Sequence, residues 1–397
     1  MEDKLKRLGY GLHMLVMFRE ILKEETIQAL MKLLCGEGTN TERLETYSTF
    51  VAKLYERTEN LSQYILSLVL EVENPHLHRI ASAKPVSDLM KECGRTELAL
   101  LEEISLLTPE EFRENLSYDG FLPGWETEKL DFYNRYMQRA KSVGTFGYGI
   151  YARHTMFYLE QGKVTPVYYP DETQFSDLIG YTRERQAVID NTLALLKGKP
   201  AQNALLRGDA GTGKSSTVKA VVNEFADQGL RLVEVKKEQM NDLPKLLDTL
   251  SRNPLKFIIF IDDLSFSSVD DSFGALKATL EGSVSARADN IVIYATSNRR
   301  HLIRECFSDR EGDDVHRNDT LQQLTSLSAR FGLKVTFSKP DKKAYMEIVK
   351  GIAAQYGVSH LSEEELSIQA EAFALAGNGR SARTAKQFIQ TIMIEKG

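Results

Sequence analysis

Cysteine is scarce in this chain: Cys35, Cys93 and Cys306 are the only three among 397 residues. An odd count with no CxxC spacing excludes a disulfide framework and the usual structural zinc site, and makes a reducing, cytoplasmic location the expectation. Proline is thin as well, at 10 residues beside 26 glycines, which excludes collagen-like and low-complexity chains. Long apolar runs are missing. The strongest, Phe257 to Ile261, falls far short of the about 20 residues that span a bilayer. Charge of one sign does not dominate either; the net charge of −6 removes the simplest case for a nucleic-acid coat protein and leaves room for a local basic face. The early apolar run Leu12 to Phe18 is followed by a continuing helical pattern through Glu24 rather than a small-residue cleavage site, so no secretory leader is expected.

What is present is an ordinary globular mixture, 42% hydrophobic and 27% charged, long enough for two or three folded units. Residues 1–140 read as a mainly helical domain: segments 14–35, 43–58 and 61–72 repeat Leu, Ile, Val and Met every three or four positions. Residues 141–174 read as a connector, with Met156–Leu159 and Val164–Tyr169 forming a β-hairpin about Gln161-Gly162-Lys163. Over 175–339, helices alternate with short β-branched runs at Ala204–Leu206, Leu230–Val235, Phe257–Ile261, Ile291–Ala295 and Leu333–Phe337. That alternation predicts an α/β core with a five-stranded parallel sheet covered on both faces. Residues 340–397 return to a helical pattern, a small C-terminal lid.

The decisive stretch is Gly208-Asp209-Ala210-Gly211-Thr212-Gly213-Lys214-Ser215, which fits GxxxxGK[ST]. Its glycines let backbone N–H groups wrap phosphates, Lys214 reaches the β/γ oxygens, and the Ser215 hydroxyl is placed to ligate Mg²⁺. The helix that follows turns its positive end to the anion. The bare pattern arises by chance in about one or two chains per hundred of this length. Here it follows an expected strand and opens an expected helix, which chance does not supply. A second acidic element ends the run Phe257 to Ile261: Asp262 is assigned to the metal side and Asp263 to the attacking water. Read alone, two acidic residues can simply end a strand; beside the phosphate loop that reading weakens.

Four ordered stretches resemble the AAA+ ATPases, over about residues 175–395: Asp177 to Tyr181, Leu205 to Ser216, Ala295 to Leu302 and Ser326 to Leu333. The chain is most similar to the bacterial DUF815 family of AAA+ ATP-binding proteins. The resemblance implies an AAA+ P-loop core with a helical lid, ATP and Mg²⁺ as cofactors, and contact with adenine through backbone near Ile179, Gly180 and Tyr181. It extends the phosphate-binding loop from Gly208 to Ser216. It also implies that Asn298 is the polar sensor between the acidic pair and the γ-phosphate, that Arg330 is an arginine finger offered to a neighbouring subunit, and that Arg380 in Gly377-Asn378-Gly379-Arg380 touches the γ-phosphate in cis, with Arg383 its competitor. AAA+ hydrolases usually carry Glu where this chain has Asp263, so either the shorter carboxylate works through another water geometry or Glu281 serves.

Weaker features are read more plainly. Pro75-His76-Leu77-His78 is expected as an exposed turn rather than a metal site, and Trp125 with Tyr118 and Phe121 as local core. Arg299, Arg300, His301 and Arg304 form a basic cluster beside the sensor, and 308–320 an exposed insertion. Two functions follow. One is a ring-forming ATPase, a hexamer by family analogy, that remodels or loads a protein client recruited by the N-terminal domain. The other is a slow-hydrolysing nucleotide switch, a DNA-associated protein like the helicase loaders. No membrane partner is expected.

Overall fold

The computed structural model describes residues 2–36, 38–113, 115–264, 271–281, 288–298, 327–377 and 379–395. Contacts divide the chain into two units, Met1–Arg153 and His154–Gly397.

The first unit is helical, as its apolar spacing requires. Polar caps set the helix starts. Thr39 and Glu42 form a reciprocal capping box ahead of Asn40–Tyr55, and the side chains of Asn60, Asn74, Ser87 and Asp131 accept from the helices they precede. Trp125 anchors the core, edge-on to Phe50 and Phe112, with its indole N–H donating to the Leu107 carbonyl at 2.8 Å. Tyr118 and Phe121 do not join it: they are 50% and 85% exposed, on an irregular part of the chain at the surface, while Trp125 farther along is buried. The Pro75–His78 segment is likewise corrected. Asn74 caps it and Pro75 opens the helix Pro75–Ala81. His76 is buried with Nδ1 2.9 Å from the Tyr136 hydroxyl, whereas His78 Nε2 lies 2.8 Å from Glu73, because two-residue spacing on a helix sends side chains to different faces.

The second unit is built on a seven-stranded sheet: β1 (Met156–Glu160), β2 (Lys163–Pro166), β3 (Ala204–Gly208), β4 (Leu230–Glu234), β5 (Lys256–Ile261), β6 (Ile291–Ser297) and β7 (Leu333–Phe337), in the order β2-β1-β4-β5-β6-β3-β7. Every neighbouring pair is parallel except β1 and β2. The expected five strands are β3 to β7; the count becomes seven because the hairpin of the 141–174 segment joins the sheet, β1 aligning Met156 with Leu232 of β4. Its two-residue turn places Gln161 at φ 49° and Gly162 at φ 73°, the pairing whose twist matches that of the strands. Central β6 is buried throughout, and β5 at every position after Lys256. Edge strand β7 alternates, with Val335 and Phe337 inside and Lys334 and Thr336 outside. Three lid helices, Lys342–Gln355, Glu363–Ala376 and Ala382–Glu395, close on their own core around Tyr345, Ile348, Ala370 and Ile389.

This is the α/β P-loop architecture with a helical lid that the AAA+ resemblance implies. No described helix is long and apolar enough to cross a membrane. The strand order sets the carboxyl ends of β5, β6 and β3 side by side, with the chain leaving β3 toward β4 on one side and β7 flanking β3 on the other. Ligands of open parallel sheets bind at such carboxyl ends.

Candidate functional site

The loop after β3 is shaped by steric necessity. At Gly208 φ is +138°, and a Cβ there would stand 2.0 Å from the Phe337 carbonyl oxygen, so no other residue fits. Gly213, at φ 90°, caps the helix Lys214–Phe225, where the first N–H groups of the helix face outward from the sheet end. Thr212 braces the loop from within, its hydroxyl donating to the Asp209 carbonyl at 2.8 Å. Asp209 ties it to the core–lid junction, accepting from the Lys339 N–H at 3.0 Å. Ala210 is exposed at the loop's tip, and Ser215 and Ser216 follow half-buried on the helix.

Lys214 is 5% exposed and its ammonium is fully engaged: Nζ donates to the carbonyls of Gly208 at 3.0 Å and Asp209 at 2.8 Å, and to Oδ1 of Asn298 at 2.9 Å. Burial pulls its pKa below the ordinary value, while Asp209, Asp262 and Asp263 oppose that fall. Asn298 is the hinge of the cluster, since its Nδ2 donates in turn to Oδ1 of Asp263 at 2.8 Å. Asp262 accepts from the Ser215 hydroxyl at 2.6 Å. Lys214, Ser215, Asp262, Asp263 and Asn298, taken from the ends of three different strands, therefore meet.

Thr296 was assigned no role from the sequence, yet it organises the acidic pair. Its hydroxyl donates to Asp262 Oδ1 at 2.5 Å and accepts from the Asp263 N–H at 2.9 Å, and its carbonyl accepts from the Leu264 N–H at 2.7 Å. Asp263 is thereby held at φ +50°, a left-handed conformation that costs a non-glycine residue about 1 kcal/mol or more. The legible signal was a polar Thr-Ser pair closing an otherwise apolar buried strand.

The arginines divide. Arg380 is not brought to the loop; it forms a bidentate pair with Glu371 of the neighbouring lid helix, Nε lying 3.0 and 3.1 Å from the two carboxylate oxygens. Arg383 is the residue on the loop, its N–H donating to the Gly211 carbonyl at 3.1 Å and its charge lowering the Lys214 pKa. The reason is local: Ser381 caps the last lid helix, its hydroxyl accepting from the Thr384 N–H at 3.1 Å, so that helix starts against Gly211 while Arg380 stays behind the cap. Arg330 precedes the first residue of β7, which pairs with Ala204 at the start of β3. It thus lies at the end of the strands away from the loop, about 16 Å off for a five-residue strand. The side chain of Glu281, and all of Arg299, Arg300, His301, Arg304 and the 308–320 segment, lie outside the described residues.

The segment expected at adenine sits beside the loop where core and lid meet. Gly180 (φ 76°) faces Ile348, and the Tyr181 hydroxyl donates to the Ser338 carbonyl at 2.7 Å. Burial first, then the carboxylates of Glu184 and Asp209, push the Tyr181 phenol up to about 12. For a divalent cation the site offers hard oxygens, the Ser215 hydroxyl and the Asp262 carboxylate. Among the described residues no group of three or more His, Cys, Asp or Glu could hold a metal.

No curated protein matches the chain. Among solved structures it is similar to the RuvB Holliday junction branch migration motor of Thermotoga maritima, at 15% identity over 56% of this chain and 64% of that chain, with a TM-score of 0.39. A single-residue variant of that protein gives 15% identity over 57% and 67%, TM-score 0.39. The chain spans about 64% of the length of the first of these structures. Residues 152–396 match the model of the family described as "protein of unknown function (DUF815)". Since that match takes in more than half of its length, the chain belongs to the DUF815 family.

Proposed function

We propose that this protein is an AAA+ ATPase that binds ATP with Mg²⁺ and hydrolyses it. One observation carries the reading: the Asn298 carboxamide bridges the Lys214 ammonium and the Asp263 carboxylate, at 2.9 and 2.8 Å, beside the Ser215–Asp262 pair. Those groups surround the place a γ-phosphate takes above the loop. Ser215 and Asp262 would hold Mg²⁺, which when bound offsets charge on the β and γ oxygens. Lys214 transfers its N–H donors from the loop carbonyls to phosphate oxygens. Asp263 accepts a hydrogen bond from the attacking water and orients it, and Asn298 holds Asp263 in place. Arg383 approaches the phosphates in cis.

The Thr296 geometry yields a test of the acidic pair. Thr296→Val keeps the shape but can neither donate to Asp262 nor accept from Asp263. Turnover is expected to fall about 10- to 100-fold, the worth of two such hydrogen bonds, with ATP affinity within threefold. Equal losses in kcat and affinity, measured by steady-state rates and calorimetry, would count against the positioning role.

Arg330, placed away from its own loop, is read as the finger for a neighbouring subunit's site in a ring, six-membered by analogy, with the helical unit recruiting a protein client. Mixing tests this. Lys214→Ala and Arg330→Ala chains are each expected to be inactive alone, whereas an equimolar mixture of a ring with trans sites regains about a quarter of wild-type activity. A mixture as dead as its parents removes the trans finger. A second reading, a switch with little turnover, is favoured by Asp263 itself, a carboxylate one methylene shorter than Glu and tethered to Asn298.

A further inference from the structure

Asp209 is out of place by charge. A loop read as a cradle for phosphate carries, as its second residue, a carboxylate that repels phosphate. Its side chain is turned instead to the core–lid junction, where Oδ2 accepts from the Lys339 N–H at 3.0 Å. The backbone of the same residue serves the loop, its carbonyl accepting from Lys214 and from Thr212, each at 2.8 Å. Its N–H donates to the Phe337 carbonyl at 3.3 Å. Gly208 and Phe337 are the last pair of β3 and β7, so Asp209 carries that pairing past the strand ends with a carboxylate oxygen as acceptor.

Lys339 is the root of the lid. Pro340 follows it, and Asp341 caps the first lid helix, its carboxylate accepting from the Ala344 N–H at 2.8 Å. Proline fixes its own φ and narrows the choices of the residue before it, so little rotation separates the Asp209 bond from that helix. The other end of the lid rests on the same loop. A Cβ at Gly211 would stand 2.9 Å from Ser381 Oγ and 3.0 Å from Arg383 Cβ, and the Arg383 N–H donates to the Gly211 carbonyl. The Lys339 ammonium fills the space a Cβ would take at Gly379, two residues before Ser381. The first and last lid helices share one core around Tyr345, Ile348 and Ile389, through which a shift at one end reaches the other. The lid thus grips the loop twice, at Asp209 and at Gly211, and the second grip bears Arg383.

We propose that Asp209 is a positioning residue acting through Arg383: by holding Lys339 it fixes the root of the lid, and so the place of Arg383 over bound phosphates. This rests on the reading of the site as one for ATP. The charge that opposes phosphate also serves the grip, because hydrogen bonds to an ionised acceptor are about twice as strong as neutral ones. Phosphate held by the loop amides repels the carboxylate from the cradle, which favours the rotamer already bonded to Lys339.

The test compares Asp209→Asn with Asp209→Ala in the full chain. Both remove the charge; only asparagine keeps an acceptor for the Lys339 N–H. By calorimetry with Mg²⁺-ATP, Asp209→Ala is expected to bind about five- to tenfold more weakly than Asp209→Asn, the worth of one hydrogen bond. In an Arg383→Ala background the two variants are expected to agree within about twofold, because the residue that Asp209 positions is gone. In the nucleotide-free chain, the Lys339 amide is expected to exchange its hydrogen about fivefold faster or more in Asp209→Ala than in Asp209→Asn. Asp209→Leu, branched like aspartate but without an acceptor, replaces Asp209→Ala should that chain fail to fold. The same gap with and without Arg383, no gap in ATP affinity, or equal Lys339 exchange overturns the proposal. A wild-type chain that binds neither Mg²⁺-ATP nor inorganic tripolyphosphate defeats the ATP reading itself, which separates the two failures.

Discussion

Lys214→Ala weakens the binding of Mg²⁺-ATP by about 10²- to 10³-fold and abolishes hydrolysis, as read by calorimetry and by phosphate release. The size follows from the geometry. The ammonium has three acceptors within 3.0 Å, all at the edge of the phosphate cradle, so it reaches a triphosphate by exchanging partners rather than by moving far. Charge-assisted hydrogen bonds are worth about 1.5–3 kcal/mol each, and losing two on the phosphate, each toward the low end of that range, gives roughly 3–4 kcal/mol, or two to three decades. Alanine also strands the Gly208 and Asp209 carbonyls and frees Asn298, so Asp263 loses its alignment together with the charge. Affinity within twofold of wild type would remove the phosphate-binding reading of this loop and the function built on it.

The second large effect falls in the helical unit. Glu97 is 7% exposed, and its carboxylate accepts from three successive backbone amides: Val16 at 2.8 Å, Met17 at 3.1 and 3.0 Å, and Phe18 at 3.0 Å. It accepts from every one of these amides of the reversal between the helix Glu2–His13 and the turn Arg19–Lys23, where the Arg19 guanidinium also donates to the Leu15 carbonyl at 3.3 Å, and the Cys93 thiol donates to Glu97 itself at 3.2 Å. Glu97→Ala leaves the Met17 and Phe18 amides buried and unpaired and is expected to cost about 3–5 kcal/mol, lowering Tm by about 10 °C. Glu97→Gln rescues only part, because its Oε1 still accepts while its Nε2 presents N–H to N–H on the other side. The single tryptophan, Trp125, lies in this unit, so its fluorescence during denaturation reports this unit directly. An unfolding midpoint unchanged in Glu97→Ala would show that water or a rearranged loop satisfies the amides.

Much of the site was legible because the chemistry is local. Residues 208–215 are consecutive, and a loop of fixed length with glycines at fixed places has few alternatives. The apolar runs of β3 to β6 read directly because strands covered on both faces leave no alternating signal to misplace, and edge strand β7 read through its alternation of Val335 and Phe337 with Lys334 and Thr336. The hairpin at 156–166 was visible as a hairpin, yet its pairing with β4 joins residues some seventy positions apart and leaves no mark in either stretch. Arg380 and Arg383 are three positions apart on similar backgrounds, and the cap at Ser381 decides between them. Thr296 looked like one more β-branched strand residue until its hydroxyl was seen between two aspartates. His76 and His78 read as a pair and separated as soon as a helix formed under them.

From the order of its residues alone, this protein was bound to present a phosphate loop at the end of a buried strand, since glycine placement and apolar runs act within a few positions of chain. Tertiary structure alone decided which carboxylate, amide and guanidinium stand around that loop. Those distances are set by strand order and helix caps, which depend on the packing of segments far apart in the chain.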